Sequence, residues 1–297
     1  MKRSIKKTVA LAVAATSLLT LAACGSKNEE QGAAADTAKT YEIAVPNDTT
    51  NEARALLLLQ DQGLITLDPN AGITATVKDI TDNPYNLTFK EVEAAQIPNV
   101  LRDVDFGIIN SNYAIQAGFN PVEDSVAIEG SSSAYANVLC VKEGNEDNDL
   151  TKALVAAVES QQVADYITAN YEGAVVSTVE NPTDGYDASV DYAALAGTTV
   201  TVAASPTPHA EILAIAKDIL AEKDITLEIK EFTDYVQPNN VVESGDVYAN
   251  FFQHVPYLDD FNAQNGTHIV AVSSVHVEPM GIYGGKQTSL DVITAEK

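Results

Sequence analysis

The sequence predicts two α/β lobes in one chain, and three observations lead there. Strand and helix patterns alternate through the folded region. An opening unit of strand, Pro-containing turn and helix occurs twice, once from Tyr41 and once from Thr199. Between the copies, past Gly173, the pattern breaks over Asn181-Pro182-Thr183-Asp184-Gly185 and Asp187-Ala188-Ser189, a turn-rich, weakly apolar stretch that reads as a linker. Repeated βαβ openings imply mainly parallel sheets with helices packed on them.

Tyr41-Glu42-Ile43-Ala44-Val45 reads as the first strand, closed by the turn Pro46-Asn47-Asp48. A helix follows over 50–62, with Thr49 and Glu52 at capping-box spacing and Gly63 at its end. Strands are predicted near 74–77, 87–92, 105–109 and 138–142, and helices near 97–102, 112–117, 149–160 and 162–171. The second copy opens with the strand 199–204, the turn Ser205-Pro206-Thr207-Pro208-His209, a helix over 210–222 and a strand over 226–232. In open α/β sheets ligands sit beyond the carboxyl ends of the strands, so 47–54 and 205–211 both belong at such an end.

The N-terminus carries a secretory pattern. Lys2, Arg3, Lys6 and Lys7 precede an uncharged apolar or small stretch over 8–20, and Leu21-Ala22-Ala23-Cys24 follows. This looks like a bacterial lipobox, which implies a signal peptide over 1–23 and a lipidated Cys24. Residues 24–39 have no aliphatic side chain larger than Ala and read as a lipid-anchored tether. Without the signal, thirteen basic residues face 42 acidic ones, a net charge of −29. That excludes nucleic acid or an anionic membrane face as a partner bound through surface charge. With Cys24 lipidated, Cys140 stands alone in an apolar run and reads as a buried structural thiol. Four scattered histidines give no zinc signature, so neither metal nor other cofactor is expected. Nucleophile elbow, phosphate loop and dinucleotide fingerprint are all missing, so no catalytic residues are assigned and the chain reads as no enzyme.

The candidate site residues are binding residues. Beyond the signal only Arg54 and Arg102 are arginines. A planar fork suits a carboxylate, and Arg54 sits early in its helix, near an end that favours an anion. Arg54 is therefore read as a ligand-carboxylate residue in preference to a salt bridge, and Arg102, beside Asp103 and Asp105, as a local ion pair. Phe251-Phe252-Gln253-His254 ends a strand-like segment and can wall a pocket, or else form a core pair with a capping His. Neighbours on a strand face opposite sides, so one phenylalanine belongs to the core. Asn110, Asn112 and Asn137 can donate and accept at once, which suits a zwitterion, although a single loop Asn is usually a turn residue.

Long motifs carry a resemblance. They include Val45-Pro46-Asn47-Asp48-Thr49-Thr50-Asn51-Glu52-Ala53-Arg54, Ile109-Asn110-Ser111-Asn112-Tyr113, Ser133-Ala134-Tyr135-Ala136-Asn137, Pro208-His209-Ala210-Glu211-Ile212, Phe232-Thr233-Asp234-Tyr235 and Ala249-Asn250-Phe251-Phe252-Gln253-His254. They resemble the methionine-binding lipoproteins of ABC importers over nearly all of 40–175 and 197–297. The two blocks stand in exchanged order, which reads as a circular permutation with 176–196 linking the family's old ends. The resemblance implies a type II-like two-lobe periplasmic-binding-protein fold. It places 40–130 plus 286–297 in lobe one, 131–285 in lobe two, and the crossings near 131–137 and 283–287. Carried over by motif, Arg54 holds a ligand carboxylate, Asn110 and Asn137 orient the amino-acid backbone, and Tyr235, Phe252 and His254 line the side-chain slot. The implied partners are L-methionine or a related small amino acid, an ABC permease and its ATPase, and the membrane through the lipid anchor on the extracytoplasmic face. A monomer is expected. Other readings are a methionine dipeptide or another apolar amino acid as ligand, or a surface adhesin or sensor without transport.

Overall fold

The alternating pattern is realised as two large sheets, beside a two-stranded ribbon of Thr66–Leu67 and Ile80–Asp82. The computed structural model describes residues 39–130 and 135–295, and Lys39 onward forms one unit. The expected signal peptide, the lipidation site Cys24 and the tether up to Ala38 lie outside the described residues. In chain order the first elements are β1 (Tyr41–Pro46), α1 (Thr49–Asp61), β2 (Leu87–Val92), β3 (Phe106–Ile109), α2 (Ser111–Gln116) and β4 (Ser125–Ile128). Then come β5 (Ala136–Lys142), α3 (Asp149–Val158), α4 (Gln161–Asn170) and β6 (Val176–Ser177). The second opening unit gives β7 (Thr199–Ala204), α5 (Glu211–Ala221) and β8 (Thr226–Glu231). α6 (Gln237–Glu243), β9 (Ala249–His254), α7 (Val255–Asn265), β10 (Ile269–Val277), β11 (Gly281–Gly284) and α8 (Asp291–Thr294) complete it.

The first helix shows why local chemistry shifts the expected boundaries. Its cap is Asp48, whose carboxylate accepts the Asn51 amide at 3.1 Å, so the Thr49–Glu52 capping box does not form. Glu52 instead accepts the Val77 amide at 2.9 Å. At the other end Gly63 takes φ +71°, a left-handed conformation that lets the Leu64 amide reach back to the Leu59 carbonyl at 3.0 Å. The strand expected at 74–77 is replaced by 3₁₀ turns over Gly72–Thr74 and Val77–Asp79. Thr76 and Asp79 cap the second turn reciprocally, and these local bonds override the β-branched composition.

Sheet one has the order β2-β1-β3-β11-β4 and sheet two the order β8-β7-β9-β5-β10-β6. The expectation of mainly parallel sheets is corrected. β1 runs parallel to β2 and β3, and β7 to β8 and β9, but β5, β10, β11 and β4 join antiparallel. Of the antiparallel strands, β4, β5, β10 and β11 flank the passages between sheets, and the short β6 joins β10 at the edge. β11 also moves the expected lobe boundary. Gly281–Gly284 pairs with β3 and β4, and Met280 and Ile282 sit in the core of lobe one, so the second passage lies at 278–280 and not at 283–287. The segment 176–196 is built onto lobe two: β6 pairs with β10, Thr183 bridges Ser160, and Val190 is buried in that lobe's core.

Each lobe has its own core. Lobe one buries Ile43, Val45, Leu56, Leu59, Phe106 and Ile108, and lobe two buries Leu139, Val200, Val202, Ile212, Leu220 and Phe251. Full burial of such a side chain is worth about 1.5–3 kcal/mol. Cys140 is fully buried, as expected. Among the described residues no helix is long and apolar enough to cross a membrane.

The C-terminal helix belongs to lobe one's core. The Tyr41 hydroxyl donates to the Val292 carbonyl at 2.5 Å, and Ile293 is buried in the same cluster as Tyr41. Ile293→Ala is therefore expected to lower stability by about 2–5 kcal/mol in urea unfolding, through lost burial and the cavity left behind. A loss under about 0.5 kcal/mol would show that this tail is not part of the core.

Candidate functional site

The ends of both sheets meet around one small cavity. Each of the six residues singled out from the sequence lines it: Arg54 on α1, Asn110 at the cap of α2, Asn137 on β5, Tyr235 in the turn after β8, and Phe252 and His254 on β9. Asn51, Ser111, Asn112, Gln253, Tyr257 and Glu278 complete the lining.

One side is polar and buried. Arg54, 4% exposed, donates through Nε and Nη2 to the Glu129 carboxylate at 2.5–3.0 Å and through Nη2 to the Glu278 carbonyl at 2.7 Å. Its guanidinium also lies 4.6 Å from the centre of the Tyr135 ring. The salt bridge weighed against a ligand role for Arg54 is thus present, and Nη1 is the arm that these two partners leave over. Asn110 Nδ2 donates to Asn51 Oδ1 at 2.8 Å, while Asn110 Oδ1 is buried with no hydrogen-bond partner. Asn112 is the converse. Its Oδ1 accepts the Tyr235 hydroxyl at 2.7 Å, and its Nδ2 is buried without a partner. Unmet buried groups of this kind cost about 1–3 kcal/mol each, so a donor and an acceptor placed on one cavity suit a polar ligand.

The other side is aromatic. Tyr235 lies 4.9 Å from Tyr113 and 5.9 Å from both Phe252 and Tyr257, centre to centre. Tyr257 donates its hydroxyl to the Tyr235 carbonyl at 2.8 Å, which holds the turn against α7. Strand alternation divides the phenylalanines as expected: Phe251 enters lobe two's core, and Phe252 faces the cavity. His254 does both things open to it. Its Nδ1 accepts the Tyr257 amide at 3.2 Å and caps α7, while the ring lines the cavity edge-on to Tyr135 at 4.9 Å.

Behind Asn137 the fold gathers His209, His276 and Glu278, all buried. These are two of the histidines that look scattered in the sequence. They have the donor types of a metal site, but His276 Nε2 and Glu278 Oε1 are 2.7 Å apart. That is a hydrogen-bond distance, shorter than the roughly 3.3 Å edge of a tetrahedral zinc site.

A match to the family model described as NlpA lipoprotein covers residues 27–179 and 200–297. The chain belongs to the NlpA lipoprotein family. The membrane lipoprotein TpN32 of Treponema pallidum (strain Nichols) is 44% identical over 135 residues, 46% of this chain and 50% of that protein. The D-methionine-binding lipoprotein MetQ of Escherichia coli (strain K12) is 39% identical over 137 residues, 46% of this chain and 51% of its own length. The chain thus spans about half the length of the curated relatives it matches. Among solved structures, a nutrient-binding protein from Burkholderia cenocepacia bound to methionine is 45% identical, covers 46% of this chain and 58% of that one, and has a TM-score of 0.46.

Sequence reasoning missed the groups that set the site's electrostatics. Glu129 and Glu278 are two carboxylates out of 42, and nothing in the linear pattern marks them out. Asn51, three residues before Arg54 on one helical face, could have been found from that spacing. The local ion pair expected for Arg102 is not formed among the described residues; Asp105 instead accepts the Glu42 amide at 2.9 Å and the Gln287 side chain at 3.0 Å.

Burial pushes the imidazole of His209 from its ordinary 6.5 down to about 3, with Glu278 opposing the fall and His276 adding to it. Burial does the same to His254, also to about 3, and Arg54 adds to it. Between these values and 6.5 the unfolded chain binds protons that the folded chain refuses. Folding stability is therefore complete above pH 6.5 and falls as pH drops toward 3, by up to about 1.4 kcal/mol per unit for each histidine. Burial alone would raise the Glu278 carboxyl, but His209, His276 and Arg54 outweigh it and hold it low, which adds a loss of the same sign in more acidic solution. Urea unfolding is expected to show on the order of 2–4 kcal/mol less stability at pH 5 than at pH 7. Equal stability at both would show that these imidazoles titrate normally.

Proposed function

We propose that the chain is a lipid-anchored, extracytoplasmic solute-binding protein that captures methionine and delivers it to the permease and ATPase of an ABC importer. The observation that carries this is the division of one buried cavity. Arg54 and the unmet Asn110 Oδ1 and Asn112 Nδ2 supply cation, acceptor and donor for a zwitterionic end. Tyr235, Phe252, Tyr257 and His254 supply rings for a thioether, each sulfur–aromatic contact being worth about 0.3–1.5 kcal/mol. The relative named D-methionine-binding lipoprotein MetQ supports a methionine-class ligand. The chain acts as a monomer without covalent chemistry, binding ligand more tightly with the lobes closed than open. Cys24 carries the lipid.

The test is calorimetric titration of the chain from Gly25 onward with L-methionine, after unfolding and refolding to strip co-purified ligand. One-to-one binding in the micromolar range or tighter is expected. Arg54→Ala is expected to weaken it by about 30- to 1,000-fold, the loss of a buried charge-assisted contact. Arg54→Lys, which keeps the charge without the fork, is expected to weaken it at least about tenfold. Unchanged affinity in both folded variants would remove Arg54 from the site. Competition by D-methionine and by a methionine dipeptide ranks the neighbouring ligands.

We also infer that the chain order is circularly permuted. The Tyr41–Val292 hydrogen bond supports this, because it brings the two ends of the folded unit together in lobe one's core. A reordered chain, residues 180–297 followed directly by 40–179 so that no core residue of 180–196 is lost, is expected to fold and to bind L-methionine within about threefold of the parent. A reordered chain that stays unfolded would overturn the inference.

A further inference from the structure

We propose that Glu278, acting through His209, fixes Asn137 as a hydrogen-bond donor toward the cavity, so that Asn137 holds the carboxylate end of a bound amino acid and never its ammonium end. The proposal rests on the functional reading above and adds the device that sets ligand direction.

The argument starts from the one group whose hydrogen-bonding sense cannot change. An ionised carboxylate only accepts. Glu278 Oε1 lies 2.7 Å from His276 Nε2 and 3.3 Å from His209 Nε2, so both Nε2 atoms carry protons. His209 Nε2 also lies 2.9 Å from the side chain of Asn137. A protonated nitrogen needs an acceptor there, so the Asn137 oxygen faces His209. The amide nitrogen, with two donors, is what remains for the cavity that Asn137 lines.

The surroundings enforce the same tautomer. The His209 and His276 rings lie 5.0 Å apart and pack edge-on to Phe251 at 4.8 and 5.3 Å. Both Nδ1 atoms are buried without a hydrogen-bond partner. A proton on Nδ1 would leave an unmet N–H donor, and genuinely orphaned buried donors are rarer than under-satisfied acceptors. Asn110 is the complement of Asn137: its nitrogen is spent on Asn51 and its oxygen is left over. The two amides therefore offer opposite polarity to a ligand. His209 and Glu278 are positioning residues, since their effect passes through Asn137.

The test pairs a spectroscopic signature with ligand discrimination. Histidine ¹⁵N NMR of the refolded parent at pH 7 is expected to show His209 and His276 as Nε2–H tautomers. An Nδ1–H tautomer at His209 would overturn the proposal whatever the ligand. By calorimetry the parent is expected to prefer L-methionine over L-methioninamide, whose carboxamide can itself donate, by at least about 100-fold. His209→Phe frees the Asn137 amide to turn and is expected to narrow that ratio about tenfold. His209→Gln, which keeps a donor at the same reach, is expected to restore it. An unchanged ratio in folded His209→Phe would overturn the proposal. Should His209→Phe not fold, Glu278→Leu against Glu278→Gln poses the same question, because only Gln retains an acceptor oxygen. A parent that binds neither compound would overturn the functional reading and the assignment of ligand direction with it, while the NMR result would still decide the network.

Discussion

A guanidinium buried to 4% exposure is the constraint around which the centre of the molecule is arranged. Removing such a charge from water costs several kcal/mol unless it is paired and its donors are met. Arg54 meets that demand from two directions at once. Glu129, just past the end of β4, takes Nε and Nη2, and the carbonyl of Glu278 takes Nη2 again. Glu129 is then committed as well, since its Oε2 also accepts the Met280 amide at 2.8 Å. The ion pair therefore fixes both a lobe-one side chain and the backbone that leaves lobe two.

That backbone is the passage 278–280, and each of its residues is tied to lobe one. Arg54 holds the Glu278 carbonyl, Ser111 Oγ donates to the Pro279 carbonyl at 2.5 Å, and Glu129 accepts from Met280. The Glu278 side chain points the other way, into the histidine pair of lobe two. One residue thus divides its bonds between the lobes, main chain to one and carboxylate to the other. Any movement of the lobes about this passage acts on the bonds that set Arg54 and Asn137. Contacts outside the passage combine hydrogen bonds and ring packing: Tyr235 to Asn112, Tyr113 to the Thr233 carbonyl at 3.2 Å, His254 to Asn51 at 3.4 Å, and the Tyr113–Tyr235 ring pair at 4.9 Å. An arrangement held by such contacts over a cavity responds to what fills the cavity.

Much of this is legible in the sequence. Strand β7 and helix α5 were found nearly to the residue, because an alternating β-branched run and a 3.6-residue apolar period are local signals. The six cavity residues were found through long motifs, and composition made Arg54 conspicuous as one of two arginines beyond the signal. What the sequence hid was pairing between distant segments. Glu129 lies 75 residues from Arg54, and His209 lies 72 from Asn137, so neither appears in any window of a linear pattern. The same holds for the amides beneath β9. Asn250, Gln253 and Asn239 are wholly or nearly wholly buried, with Gln253 Nε2 donating to Asn239 Oδ1 at 2.7 Å and Asn239 Nδ2 returning to Gln253 Oε1 at 2.9 Å. As isolated letters they read as surface residues. The displaced crossing shares this cause, since a distant strand partner decided it, whereas the strand expected at 74–77 yielded to a local capping bond between Thr76 and Asp79.

The position of the chain ends bears on how such a site tolerates rearrangement of its order. β1 is an inner strand, flanked by β2 and β3, and α8 packs at its start, so the ends of the folded unit sit in the middle of lobe one's framework and not at a frayed edge. Cutting a chain there removes no strand pairing, because β1 keeps all its partners through register and burial. Both passages between the lobes remain continuous, and so do the turns carrying Asn110, Tyr235 and His254. The bonds on which the cavity depends cross between segments far apart in sequence whichever end comes first. Loop closure costs only about 0.6 kcal/mol more for each doubling of length, so exchanging which pair of ends is joined changes little in the folded balance. A site assembled from long-range pairings is in this sense indifferent to chain order, provided that the break falls between elements whose contacts are already complete.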